Sequence, residues 1–227
     1  WAYTPIATGF ESVAIEAEID GVVCIVLGCR GNARFVFTPG EPAKIEYEFF
    51  GLFTLPADRV VSAPDYSTDI APAIVAATAF RPWSENPIAG VFGHVGSMVV
   101  DCRNRIVARE SLTVGAEGIA AWEIVGRGSV DDPGMAATIE VEQKASTAGD
   151  DFFTRWNSRT VSGAATATIG SGIASNEHAV LINDLIIEDI QFGEGDGRVM
   201  NMLDCRLLGD ETSGVPDGND EFSITAT

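Results

Sequence analysis

Lysine is nearly missing from this chain: its 227 residues hold twelve arginines but only Lys44 and Lys144. Against 14 basic residues stand 33 acidic ones, for a net charge of −19. Sequence-independent binding of nucleic acid draws its affinity from Lys and Arg neutralising phosphates, so this balance excludes it. Long apolar runs are missing too. The stretch 22–27 stops at Gly28, far short of the roughly 18 apolar residues of a membrane-spanning helix. The two histidines, His94 and His178, have no Cys or acidic ligand at motif spacing, so neither zinc nor general-base chemistry is expected of them. Four cysteines (24, 29, 102 and 205) form no Cys-x-x-Cys pair and read as reduced thiols of a protein assembled in cytosol. Cys24 and Cys29, five apart, would point to opposite faces of a regular strand. Three tyrosines and four tryptophans are little material for the aromatic platform of a carbohydrate binder.

What is present is a foldable chain: 46% hydrophobic residues and a mean hydropathy of +0.16 exclude a disordered acidic tail. Strand signals dominate. Residues 13–19 alternate apolar and acidic, and Asp20-Gly21 turns the chain into 22–27. A second hairpin pairs 33–37 with 44–49 across the turn 38–42, with Ile45, Tyr47 and Phe49 on one face and Lys44, Glu46 and Glu48 on the other. Prolines at 56, 64, 72, 82 and 87 make 55–87 an ordered connector, with room for a short helix at 73–79. Strands resume at 96–102, 105–112, 122–128 and 137–142, then at 160–169, 178–192 and 199–208. Residues 150–156 are the best helix candidate, with Phe152, Phe153 and Trp156 on one face. Residues 210–227 read as a loose acidic tail. A constant offset of 155 lays Ile25, Leu27, Phe35, Phe37, Gly40, Ile45 and Tyr47 over Val180, Ile182, Ile190, Phe192, Gly195, Met200 and Met202, the pattern of an internal repeat.

No catalytic motif stands out. Gly193 to Gly197 lacks the spacing and the following helix of a dinucleotide fingerprint and reads as a hairpin turn. Asp217 to Glu221 lacks the twelve-residue calcium loop and reads as solvated tail. There is no Gly-x-Ser-x-Gly elbow, His-Glu-x-x-His helix or P-loop. The carboxylate pairs Glu16/Glu18, Glu46/Glu48 and Glu140/Glu142 all sit two apart on strand faces that read as wet, whereas a glycosidase pair needs one of its carboxyls buried. An enzyme is not expected, nor a cofactor or metal. The regular feature is an acidic stripe opposite an apolar one on several strands.

The segments Tyr3-Thr4-Pro5, Gly9-Phe10-Glu11-Ser12-Val13, Gly28-Cys29-Arg30-Gly31-Asn32, Gly40-Glu41-Pro42, Phe49-Phe50-Gly51-Leu52-Phe53 and Pro56-Ala57-Asp58 together resemble the major tail tube proteins of long-tailed (siphovirus-like) phages. Residues 90–210 are similar to the second half of such proteins in order and pattern. The resemblance implies a mainly β tail-tube fold: two packed antiparallel sheets, a sandwich or split barrel, with a flanking short helix. The inner sheet joins neighbouring subunits into a β-barrel ring, and stacked rings conduct DNA during ejection from the virion tail. It also implies self-assembly in the host cytoplasm, as a trimeric pseudo-hexamer or a hexamer, with tape measure, terminator and distal tail proteins as further partners and no membrane. The expected division is the C-terminal half of a first tube repeat at 1–62, a connector at 63–92, a second repeat at 93–210 and a flexible acidic arm at 211–227, with a further half-domain preceding Trp1. A lumen that passes duplex DNA must not grip it. Glu16, Glu18, Glu46, Glu48, Glu140 and Glu142 are therefore the candidate lumen-facing acids, with Arg34, Lys44 and Arg198 as inter-subunit or charge-balancing partners. A capsid-decorating or adhesin-like sandwich and a secreted carbohydrate-binding sandwich are the alternatives.

Overall fold

The structure is a computed structural model that describes residues 2–3, 10–59, 95–110, 119–127, 134–142, 152–159, 161, 165–170, 177–195, 197–209 and 221–226. It is mainly β, with antiparallel sheets and one short helix, α1 (Phe152–Ser158). The strands are β1 (Ala2–Tyr3), β2 (Val13–Ile19), β3 (Val22–Phe37), β4 (Lys44–Phe53), β5 (Ala57–Asp58), β6 (Val95–Asp101), β7 (Asn104–Glu110) and β8 (Ile119–Arg127). They continue as β9 (Ala136–Glu142), β10 (Ala165–Gly170), β11 (Glu177–Ile182), β12 (Asp184–Gly195), β13 (Arg198–Leu208) and β14 (Phe222–Ala226). An eight-stranded sheet runs β12-β13-β9-β6-β3-β2, with β4 and β5 on the other edge of β3. A four-stranded sheet, β1-β14-β11-β10, covers part of it, and β7-β8 form a separate hairpin.

The core lies between the two larger sheets. Alternate residues of the large sheet are buried, among them Phe35, Phe37, Met98, Val100, Ile139, Val141, Leu203 and Leu207. Val180, Ile182, Phe222 and Ile224 meet them from the small sheet. The period of two seen in the sequence is the physical cause, because each strand gives its apolar side chains to one face. Strand β3 joins the parts. Phe35 and Phe37 sit in the core, whereas the N-terminal half of β3 leaves it to pair with β2 and β5. The β3–β6 ladder thus places strands from 1–62 and from 93–210 in one sheet. The connector 63–92, with the helix expected at 73–79, lies outside the described residues.

Both expected hairpin turns form. Asp20 and Gly21 take φ of 50° and 81°, closing the two-residue turn between Ile19 and Val22, and Glu41 N donates to Thr38 O at 3.1 Å. At the third tight turn, Gly195 pairs with Arg198 around Gly197, whose φ is 74°.

Several expectations are corrected. Residues 22–27 and 33–37 are one 16-residue strand, because a bulge at Gly28 (φ 60°) absorbs the irregularity that reads as a break. The bulge adds one residue between Leu27 and Arg30, so Cys29 falls on the face of Val26, with which Cys24 alternates, and not on the opposite one. Residues 178–192 are two strands in different sheets, split at Asn183, whose N–H donates to Glu221 O. The residues matched at the offset of 155 therefore lie in one sheet, on β3, β4 and the turn between them, in the first case and in two sheets in the second. Among the described side chains of α1 the buried one is Arg155, while Trp156 is 37% exposed. Its indole N–H donates to the Glu188 carbonyl, a bond available only at the sheet edge.

Residues 222–226, expected in a loose tail, form β14 in the interior of the small sheet. Glu221 is buried and pairs with Arg127 at 2.9 Å, both side chains being 9% exposed. Phe222 and Ile224 outweigh the polar residues around them, and their burial fixes the strand. Truncating Phe222 to Ala removes a fully buried ring that packs 5.1 Å from Phe35. The expected loss is about 3–5 kcal/mol of stability, read as a lower urea midpoint. A disposable tail would give no shift.

All four cysteines are free. Burial, opposed by the charge of Arg127, pushes the Cys102 thiol from its ordinary 9.0 up to about 11, and burial drives Cys205 higher still. A raised folded pKa means that the unfolded chain ionises first. The contribution of Cys102 is intact below pH 9 and falls between pH 9 and about 11. Over that window the stability of the wild-type protein should drop by about 2–3 kcal/mol more than that of Cys102→Ala, measured by chemical denaturation.

Candidate functional site

Register decides which residues share a face of the large sheet. Ile45, Tyr47 and Phe49 stand opposite Phe35, Ala33 and Gly31, on the core side. Lys44, Glu46 and Glu48 stand opposite Val36, Arg34 and Asn32, on the far side. Because the Gly28 bulge shifts the alternation of β3 by one, Val23 and Ile25 also belong to the far side, and with them their partners Glu18 and Glu16. On β9, Ala137, Ile139 and Val141 are buried in the core, which leaves Thr138 and Glu140 on the far side. Glu142 follows Glu140 two positions later; its side chain, like that of Arg198, lies outside the described residues. Five acids from β2, β4 and β9 thus come to one face of one sheet, although each strand could have turned its stripe either way.

Sequence reading missed further acids of this face. Asp101 stands opposite Arg34, and Asp189 opposite Asp204. For Asp204 the signal was the alternation of Met200, Met202, Asp204 and Arg206 with the buried Asn201, Leu203, Cys205 and Leu207. Several of the acids are held in place. Ser97 Oγ donates to Glu140 at 3.0 Å, and Thr138 Oγ1 and Gln191 Nε2 each donate to Asp204 at 3.1 Å. Arg34 reaches Glu46 at 3.8 Å, Arg206 reaches Glu188 at 3.4 Å, and Arg59 pairs with Glu16. Exposed pairs such as Arg34–Glu46 contribute at most about 1 kcal/mol each; their effect is on local charge. Lys44 is drawn to Glu41 in its own turn at 2.6 Å, and that hydrogen bond, with the charge of Glu41, holds its pKa above the ordinary value. The face therefore mixes acids with a few cations that are already paired within the chain.

The Gly28-Cys29-Arg30-Gly31-Asn32 motif has a structural role. Between the stretches of β3 that pair with β2 and β6, no strand among the described residues covers 30–33 on that edge. Side chains and the following loop fill the gap. Asn32 Nδ2 donates to Asp101 Oδ1 at 2.8 Å, Asn104 N donates to Asn32 Oδ1 at 3.0 Å, and Asn104 Nδ2 donates to Gly31 O at 3.0 Å. Gly31 must lack a side chain because a Cβ would stand 2.3 Å from the ring of Phe49. This bracket fixes the root of the β7-β8 hairpin, whose Trp122 packs 5.1 Å from Phe50.

Among the described residues no group of three or more His, Cys, Asp or Glu is placed to hold a metal ion, and no helix is long and apolar enough to cross a membrane. No protein-family model matches the chain, and no curated protein matches it.

Replacing Asn32 by Ala orphans the Asn104 N–H and leaves Asp101 Oδ1 with the Arg103 N–H as its donor. The expected cost is about 1–3 kcal/mol, with faster amide exchange across β7 and β8 than across β9 and β13. Uniform acceleration would show that the bracket does not hold the hairpin.

Proposed function

We propose that this chain is the repeating subunit of a virion tail tube, forming stacked rings, of three or six chains each, through which duplex DNA passes without being held. The observation that carries the reading is the gathering of Glu16, Glu18, Glu46, Glu48 and Glu140 on one face of the large sheet, opposite its core face. The family resemblance of the motifs in 3–58 points the same way. In such a ring the acidic face is the wall of the lumen. Carboxylates repel the phosphates over a Debye length, roughly 8–10 Å at physiological salt, and the scarcity of lysine removes the contacts that would slow transit. The virion tail is then its place, after assembly in the host cytoplasm, and tape measure, terminator and distal tail proteins are its neighbours. The role is structural rather than enzymatic, and the family has no cofactor.

Electron microscopy of the purified protein tests this directly. Open-lumen rings or tubes are expected, and a monodisperse small sandwich at every concentration overturns the proposal. The wall has its own test. Tubes carrying Glu46→Lys and Glu48→Lys should retain duplex DNA at 50 mM salt and release it as salt rises, while wild-type tubes retain none. Equal behaviour of the two would place these acids away from the lumen.

A further inference from the structure

Strands β7 and β8 pair only with each other among the described residues. A two-stranded hairpin is marginal by itself in water, so its attachments decide where it sits. At its root is the bracket that joins Asn104 to Asn32 and Gly31, and farther along is the contact of Trp122 with Phe50. A third attachment lies at the end of β8. There Arg127 Nη1 donates to Glu221 Oε2 at 2.9 Å, with both side chains 9% exposed. The pair Arg109–Glu123, by contrast, lies wholly within the hairpin, and its members are 66% and 41% exposed. Exposed pairs contribute little, whereas breaking a buried one leaves a desolvated charge behind. Of these two pairs, Arg127–Glu221 is the one that ties the hairpin to another element.

Glu221 owes its position to the closing strand. Its carbonyl accepts from Asn183 N at 3.3 Å, where the chain crosses from β11 to β12, and the next residue is Phe222, seated on Phe35. From Phe222 onward β14 pairs with β11 along its length, from Phe222 opposite Ile182 to Ala226 opposite His178. Neighbouring Cα atoms are about 3.8 Å apart, so displacing β14 from β11 draws the Glu221 carboxylate away from Arg127. The partly buried Cys102 lies beside this joint. Its N–H donates to Ala33 O at 3.0 Å. Burial is the largest influence on its thiol, followed by the charges of Arg127, Asp101 and Glu221. Arg127 in turn stands opposite Asn104, whose side chain donates to Gly31 O. The hairpin, β3 and β14 thus meet at one place, and the contacts run in series from Asn32 through Asn104 and Arg127 to Glu221 and Asn183.

We infer that β14 is a strap that controls the hairpin: seated, it holds β7 and β8 in place through Arg127–Glu221, and lifted, it releases them as a unit. The hairpin and β14 share no ladder, so the buried pair is the link by which the state of one biases the other. A buried ion pair is a poor source of stability, because apolar side chains of similar volume do as well or better. What it adds is a demand for both partners at once: each charge is costly to keep buried when the other has gone. That demand makes the seating of β14 and the docking of the hairpin cooperative. The coupling is reciprocal. Whatever grips the released hairpin loosens β14, and whatever fixes the hairpin in place tightens β14.

Site-resolved hydrogen exchange on the full chain tests the strap. Glu221→Gln keeps the shape of the side chain and removes its charge. It should accelerate exchange in 104–110 and 119–127 by about a hundredfold or more relative to β9 and β13. Labelling of Cys102 by N-ethylmaleimide should rise with it, relative to that of Cys205. Arg127→Met should act in the same way. Combining Arg127→Met with Glu221→Met puts apolar side chains in place of the pair and should restore most of the protection. Phe222→Ala leaves the pair itself unaltered, yet it should accelerate hairpin exchange in the wild-type background and add nothing there once Arg127→Met is present. Hairpin exchange that keeps its wild-type rate in Glu221→Gln, that rises equally in every sheet, or that the double variant does not restore overturns the strap. A Phe222→Ala effect on the hairpin that persists undiminished with Arg127→Met overturns it as well.

Discussion

The contact between Phe35 on β3 and Phe222 on β14, with ring centroids 5.1 Å apart, ties the large sheet to the small one. Much else follows from it. Phe35 reaches the core only because the C-terminal part of β3 lies between β4 and β6. That in turn forces the N-terminal half of the same strand beyond the cover of the small sheet. The bulge at Gly28 lets one strand serve both regions, since it shifts the alternation just where core packing ends. Without that one-residue shift, Glu16 and Glu18 would fall on the opposite face from Glu46 and Glu48.

The charge of the chain takes on a spatial meaning in this frame. The acids of the large sheet line a face that includes Arg34, Lys44 and Arg206, each with an acidic partner in the same chain. Repulsion among carboxylates is thereby moderated, and these three cations are already engaged within the chain. The apolar strip on the other side of β4 obeys the opposite logic. Tyr47 and Phe49 sit in the same alternation as core residues but past the limit of the covering sheet. The two rings stack on each other at 5.6 Å and stay partly open to solvent.

Much of this fold was legible in the sequence, for a physical reason. Alternation over 13–19, 44–49, 137–142 and 199–208 names strands directly, and Asp20-Gly21 and Gly197 name turns, because the backbone there demands positive φ. What stayed hidden depends on partners far away in sequence. Nothing local marks Phe222 as buried: its neighbours are polar, and the ring of Phe35 and the ladder to Ile182 give it a place. The split at Asn183 is equally silent, because one apolar run serves two sheets. For the acidic face, the stripe on each strand could be read, whereas the facing of one stripe relative to another required the ladder and its bulge.

The position of β14 also bears on timing. Strands β3, β6, β9 and β13 are complete long before residues 222–224 are synthesised, yet their common face stays open until those residues insert. Folding of the core must wait for the synthesis of β14, and domains built on such distant contacts form slowly. During that wait the large sheet has neither its cover nor its finished edges. Closure by β14 is then the event that seats Phe222 on Phe35 and completes the core.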